Sequence, residues 1–112
     1  MAFVPMKKTV LKKVLERPQV CVRSGEGSCD GRITIEHVFG RKKETEWSCI
    51  LLCERHHSLG NWQNNGLLNK AINRLHAYQQ ATDEEIKKTY PKNWQEKLQD
   101  KKWLESKYKH LL

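Results

Sequence analysis

No stretch of the 112-residue chain reaches the roughly 18 apolar residues that a membrane-spanning helix needs. The opening Met1-Ala2-Phe3-Val4-Pro5-Met6 is too short for a secretory hydrophobic region, and Lys7 interrupts it. A cytoplasmic protein without a membrane partner is therefore expected. Apolar residues are scarce at 38%, against roughly 45–50% (Gly included) in an average domain. The core is modest, since a chain of this length buries only about two thirds of the surface its unfolded form exposes. Internal repeats and low-complexity tracts are absent, and the length suits one compact domain, residues 1–112.

Acidic residues are also few: 13 against 21 lysines and arginines, a formal charge of +8. That excess favours a polyanionic partner through attraction and counterion release, although it also serves plain solubility. Residues 1–45 carry ten basic and five acidic side chains, residues 81–112 eight and six. The basic face is thus expected near the first half. Four cysteines in a reducing compartment suggest metal rather than disulfides.

Along the chain, Val10, Leu11, Val14 and Leu15 repeat at helical spacing between Thr9 and Pro18. Residues 21–31, with three glycines and two serines, read as a loop punctuated by Cys21 and Cys29. Arg32 to Glu36 alternates and is β-branched, which predicts a strand. After a basic turn (Gly40-Arg41-Lys42-Lys43), the apolar stretch Trp47 to Leu52 predicts a second strand, and a helix begins near Cys53. Leu68, Ala71, Ile72, Leu75 and Tyr78 mark a stronger helix. Thr82 with Glu85 forms a capping-box pattern before a short helix that Pro91 ends, and Asn93 with Glu96 repeats it before the last helix. The apolar side of that helix includes Trp94, Leu98, Leu104, Tyr108 and Leu111. Trp62, Trp94 and Trp103 are expected to be packing residues.

Cys21-x7-Cys29 and Cys49-x3-Cys53 are followed at once by His56 and His57. Zinc takes four soft or borderline ligands in a tetrahedron, supplied in pairs from two turns. Cys53 and His56, three apart, can face the same way on a first helical turn, whereas Cys49 sits in an apolar run that reads as core. Cys21, Cys29, Cys53 and His56 form the preferred set, with four cysteines as the alternative. Structural zinc contributes about 10–16 kcal/mol to small modules, more than this core can spare.

His57 is then left over, with Asn61 four residues on and on the same helix face. An imidazole and an amide oxygen, completed by a carboxylate, can hold a hard divalent cation. Glu36 is the best candidate carboxylate, and His37 follows it with its side chain pointing the other way. Asn64 and Asn65 are close rivals of Asn61.

From Cys21 to Asn65 the chain resembles the HNH endonucleases. In that family an acidic residue or His followed by His ends the first strand, here Glu36-His37. A central Asn stands nine residues before the metal-binding His of the helix, here Ser48 before His57, and a further His or Asn follows four later, here Asn61. Zinc-bearing members carry Leu-Cys-x-x-Cys-His; this chain has Leu52-Cys53-Glu54-Arg55-His56-His57, with His56 in the second cysteine's place. Gly31 through His57 looks particularly like phage-encoded HNH proteins. The fold implied is α+β: a zinc-stapled ββα-metal core over about 20–65 with flanking helices, and a C-terminal helical extension over about 66–112.

The resemblance implies a DNA endonuclease of a bacterial or phage-infected cell. His37 would act as general base, and Glu36, His57 and Asn61 would bind Mg²⁺ or Mn²⁺, with Ni²⁺ or Zn²⁺ admitted by the imidazole. Ser48 would brace the loop and orient His37 more weakly than the family's Asn. Arg41, Lys42 and Lys43 are candidates for phosphate contact or a solvated turn. The rival is a zinc-stabilised DNA-binding module of the same fold that does not cleave.

Overall fold

The computed structural model describes residues 7–40, 44–59 and 66–111. Arg41, Lys42 and Lys43, together with Asn61, Trp62, Asn64 and Asn65, lie outside the described residues. The described residues form a small α+β domain with one antiparallel hairpin and five α-helices.

Helix α1 (Lys8–Leu15) is followed by a loop that carries a 3-10 turn at Ser24–Glu26. Strands β1 (Ile33–His37) and β2 (Cys49–Cys53) pair from Ile33 opposite Cys53 to His37 opposite Cys49. Residues opposite one another in a ladder share a face. Thr34 and Glu36 therefore lie on the side of Leu52 and Ile50, while Ile33, Ile35 and His37 lie on the side of Cys49 and Leu51.

The β2 run is apolar without alternation because both of its faces are covered. Cys49 and Leu51 pack with Val14 of α1, and Ile50 and Leu52 pack with Cys21 and Ala77. The amide of Val22 donates to Leu51 O at 2.8 Å, which lays the cysteine loop along β2. The Arg17 guanidinium, just past α1, donates to Cys49 O at 2.8 Å and to Glu46 O.

Helix α2 (Glu54–Leu59) starts directly from the end of β2. Gly31 has φ +86°, and a Cβ there would stand 2.7 Å from Glu54 Cβ, so only glycine permits this approach of the loop to α2. Helices α3 (Gly66–Gln79), α4 (Asp83–Thr89) and α5 (Trp94–Tyr108) enclose the larger core of Trp47, Leu75, Tyr78, Ile86, Tyr90 and Leu104. The Tyr78 hydroxyl donates to Asp100 Oδ2 at 2.8 Å, and Arg74 grips both oxygens of the same carboxylate. This ties α3 to α5. The Gln80 amide donates to Trp47 O and Cys49 O, which holds α3 against the start of β2.

Thr82 and Glu85 form the expected reciprocal capping box. Asn93 does not repeat it: its side chain makes no cap hydrogen bond, and its backbone (φ −132°, ψ 29°) departs from the extended conformation that aims a cap inward. Trp103 is not a core residue either. It is 48% exposed and stacks edge-on against Tyr108, because the α5 core stripe runs through Leu98 and Leu104 instead. Among the described residues, no helix is long and apolar enough to cross a membrane.

Candidate metal centres

The cysteine loop and the β2–α2 junction bring four donors together. Cys21, Cys29, Cys53 and His56 offer ligand atoms that all lie within 4.8 Å of one another. His56 Nδ1 stands 3.1 Å from Cys53 Sγ, 3.4 Å from Cys21 Sγ and 3.6 Å from Cys29 Sγ. Tetrahedral zinc with three sulfurs and one nitrogen separates S from N by about 3.5 Å, so the donor set fits such an ion with small adjustments. Cys53 and His56 approach because β2 ends at one and the first turn of α2 carries the other. Cys49 is absent from this group, since its position at the opposite end of β2 turns it toward Val14.

Burial pushes the Cys53 thiol up. Hydrogen bonding from the backbone at His56 and at Asp30, from the His56 ring and from Cys29 outweighs this and brings it down to about 6. Desolvation and the neighbouring thiols Cys21 and Cys53 push Cys29 up to about 11. The Cys53 thiol is thus held toward the thiolate form that a cation binds. Behind the cluster, Arg23 is buried and grips both carboxylate oxygens of Glu26 at 2.7 and 2.8 Å, with Asn73 at 3.3 Å. The Arg23 guanidinium is also what chiefly holds the Glu26 carboxyl below its ordinary value. That ties the metal loop to α3.

On the Glu36 face of the hairpin, α2 turns His57 back over β1. His57 Nε2 lies 3.2 Å from Glu36 Oε2, and His57 Nδ1 lies 2.5 Å from Thr34 Oγ1. The Thr34 hydroxyl lies 2.8 Å from Leu52 O; when it donates there, it meets His57 as an acceptor, which places a proton on Nδ1. A neutral His57 then presents a lone pair from Nε2 toward a carboxylate oxygen. Two acceptors at that distance call for a positive charge shared between them, supplied by a proton or by a metal ion. The structure thereby brings Glu36 and His57 together; Asn61 lies outside the described residues.

His37 occupies the opposite face. Its Nδ1 stands 2.8 Å from Glu44 Oε2 and 3.7 Å from Cys49 Sγ. Ser48, expected to orient His37, makes its side-chain hydrogen bonds to Thr45 among the described residues. Ser48 Oγ accepts from Thr45 N and donates to Thr45 O, while its own amide donates to Thr45 Oγ1, so this short side chain closes the loop on itself. Ser48 closes the loop, and Glu44 and Cys49 are the groups set beside the His37 ring among the described residues. The sequence reading missed Glu44, which stands beside the basic turn with no motif around it. The available signal was an acid placed four residues before the expected brace. Comparison with protein-family models, with curated proteins and with solved structures finds no match to this chain.

Proposed function

We propose that this protein is a metal-dependent DNA endonuclease of the HNH type, built on a zinc-stapled hairpin. The reading rests above all on the Glu36–His57 pair, with Thr34 setting the His57 tautomer so that Nε2 faces the carboxylate. A histidine whose second nitrogen is tied down is the usual arrangement for a metal ligand. Zinc at Cys21, Cys29, Cys53 and His56 would be structural, because four protein donors leave no open position.

Glu36 and His57, with Asn61 as the expected third ligand, would hold Mg²⁺ or Mn²⁺. The chemistry such an ion supplies when bound is stabilisation of the charge that builds on the phosphate and on the leaving 3′ oxygen. His37 points from the other face, but as the last residue of β1 and the neighbour of Glu36 it would accept the proton of the attacking water from the strand end. The Glu44 carboxylate beside Nδ1 favours a proton on that nitrogen and leaves the lone pair on Nε2, which is the form a base needs. Excess positive charge supplies phosphate attraction, and Arg41, Lys42 and Lys43 remain its proposed carriers.

Ser48 favours a second reading, a DNA-binding module without cleavage, since its oxygen is committed to Thr45. Nicking of supercoiled plasmid in Mg²⁺ or Mn²⁺ separates the two. His37→Ala should bind DNA as wild type does while cutting at least about 100-fold more slowly. Retention of zinc and of salt-sensitive DNA binding, with no metal-dependent cutting by the wild type, would leave the binding module.

A further inference from the structure

Beyond the two centres above, the α1 face of the hairpin carries a third set of donors. His37 Nδ1, a Glu44 carboxylate oxygen and Cys49 Sγ all lie within 4.8 Å of one another. The ladder sets His37 opposite Cys49. The loop returns Glu44 to the start of α1, where its Oε1 accepts from Lys7 N at 3.0 Å. Glu44 Oε2 is buried and, among the described residues, has no aligned hydrogen-bond donor, its contact with His37 Nδ1 at 2.8 Å being an ion pair. A buried carboxylate oxygen without an aligned donor keeps part of its desolvation cost, which a bound cation relieves. A groove of about 520 Å³ between α1 and α4, lined in part by Lys7, Val10, Trp47 and Lys88, reaches Glu44.

We propose that His37, Glu44 and Cys49 form a second site for a soft or borderline divalent ion, Zn²⁺ foremost, separate from the three-cysteine, one-histidine cluster. One thiolate, one imidazole and one carboxylate suit Zn²⁺ and leave a fourth position for water. The same thiolate disfavours Mg²⁺. On binding, the Cys49 thiol releases its proton to solvent, and the ion takes the Nδ1 lone pair of His37. The one proton of the neutral ring then resides on Nε2. That consequence rests on the reading of His37 as the base: the nitrogen needed to accept a proton already carries one, so Zn²⁺ beyond the structural equivalent suppresses cleavage.

The test uses the zinc-loaded full chain titrated with Co²⁺, because a thiolate–cobalt bond gives a charge-transfer absorption that the thiolate-free Glu36–His57 pair cannot produce. The expected result is a band saturating at one thiolate-bound Co²⁺ per chain. It should be lost in Cys49→Ser, with the original zinc retained, and shifted at least about tenfold to higher Co²⁺ in Glu44→Gln. Absence of the band at saturating Co²⁺, or its persistence in Cys49→Ser, overturns the proposal. Should Cys49→Ser fail to fold, ¹¹³Cd spectra of the wild type decide. A one-thiolate resonance beside a three-thiolate one supports the site, and its absence overturns it. Zn²⁺ bound at Cys49 with plasmid cleavage undiminished would leave the site standing and remove His37 from the base role.

Discussion

Replacing Thr34 by Val tests the tautomer argument with almost no change of volume. The hydroxyl donates to Leu52 O at 2.8 Å and accepts from His57 Nδ1. Thr34→Val deletes both contacts, and the ring is then free to place its proton on Nε2, facing Glu36. Loss of such an outer partner of a metal-binding histidine costs about 10–100-fold in metal affinity, or about 1.4–2.7 kcal/mol at 25 °C. The separate loss of one partly buried hydrogen bond to the backbone lowers folding stability by about 1 kcal/mol, too little to unfold the chain. Mn²⁺ binding followed by electron paramagnetic resonance reads the affinity directly, and the Mn²⁺ dependence of plasmid nicking reads it through activity. Both should shift by the same factor. Thr34→Ser, which keeps the hydroxyl, should recover most of the affinity, and zinc content should not move in either variant. A Thr34→Val protein that binds Mn²⁺ as tightly as wild type would show that Thr34 does not control His57.

Cys53→Ala should emerge from purification without zinc and aggregate, whereas Cys49→Ala should keep one tightly held zinc by elemental analysis and lose about 1–3 kcal/mol of stability to the cavity it leaves; equal zinc loss in both would overturn the ligand assignment. His57→Ala should abolish Mn²⁺-dependent nicking and retain zinc, since the two centres draw on different donors; a variant that still nicks at the wild-type rate would exclude His57 as a ligand. Burial, with Arg23 nearby, holds the His76 imidazole below its ordinary value, and its Nε2 is buried without a hydrogen-bond partner among the described residues. The unfolded chain therefore takes up this proton first, near pH 6.5, and stability falls as the pH drops below that point toward the lower folded value. Urea midpoints above and below pH 6.5 or so should fall less for His76→Gln than for wild type, and an equal fall in both would refute the assignment.

Much of this fold could be read before it was seen, and the reasons differ by element. Local chemistry was the most legible. The spacing of Cys53 and His56 needs only a strand end and one helical turn, and the Thr82–Glu85 cap is complete within four residues. Cys21 and Cys29 could be assigned because few other soft donors exist in the chain. Asn93 and Trp103 misled for a shared reason. Their neighbours in sequence resemble a cap and a core stripe, but the docking of α5 on Leu75, Tyr78 and Ile86 decides which face is inward and how the chain enters the helix. The least legible part was the surroundings of His37. Glu44 reaches it only because a loop folds back to α1, and Cys49 only because the ladder pairs it with His37. Nothing local encodes either contact.

The position of the four-donor cluster also bears on the order in which the protein can fold during synthesis. All its ligands lie between residues 21 and 56, and both strands of the hairpin fall inside that interval. Once His56 leaves the ribosome, an ion can close the loop before α3, α4 and α5 exist. Such closure would select the pairing of Ile33 with Cys53 over a slip by one residue, which would exchange the faces of Glu36 and His37. The later helices would find Ile50 and Leu52 already turned toward them. In this sequence of events an ion held there would act less as a reinforcement of the finished structure than as an early vote on which strand alignment the rest of the chain inherits.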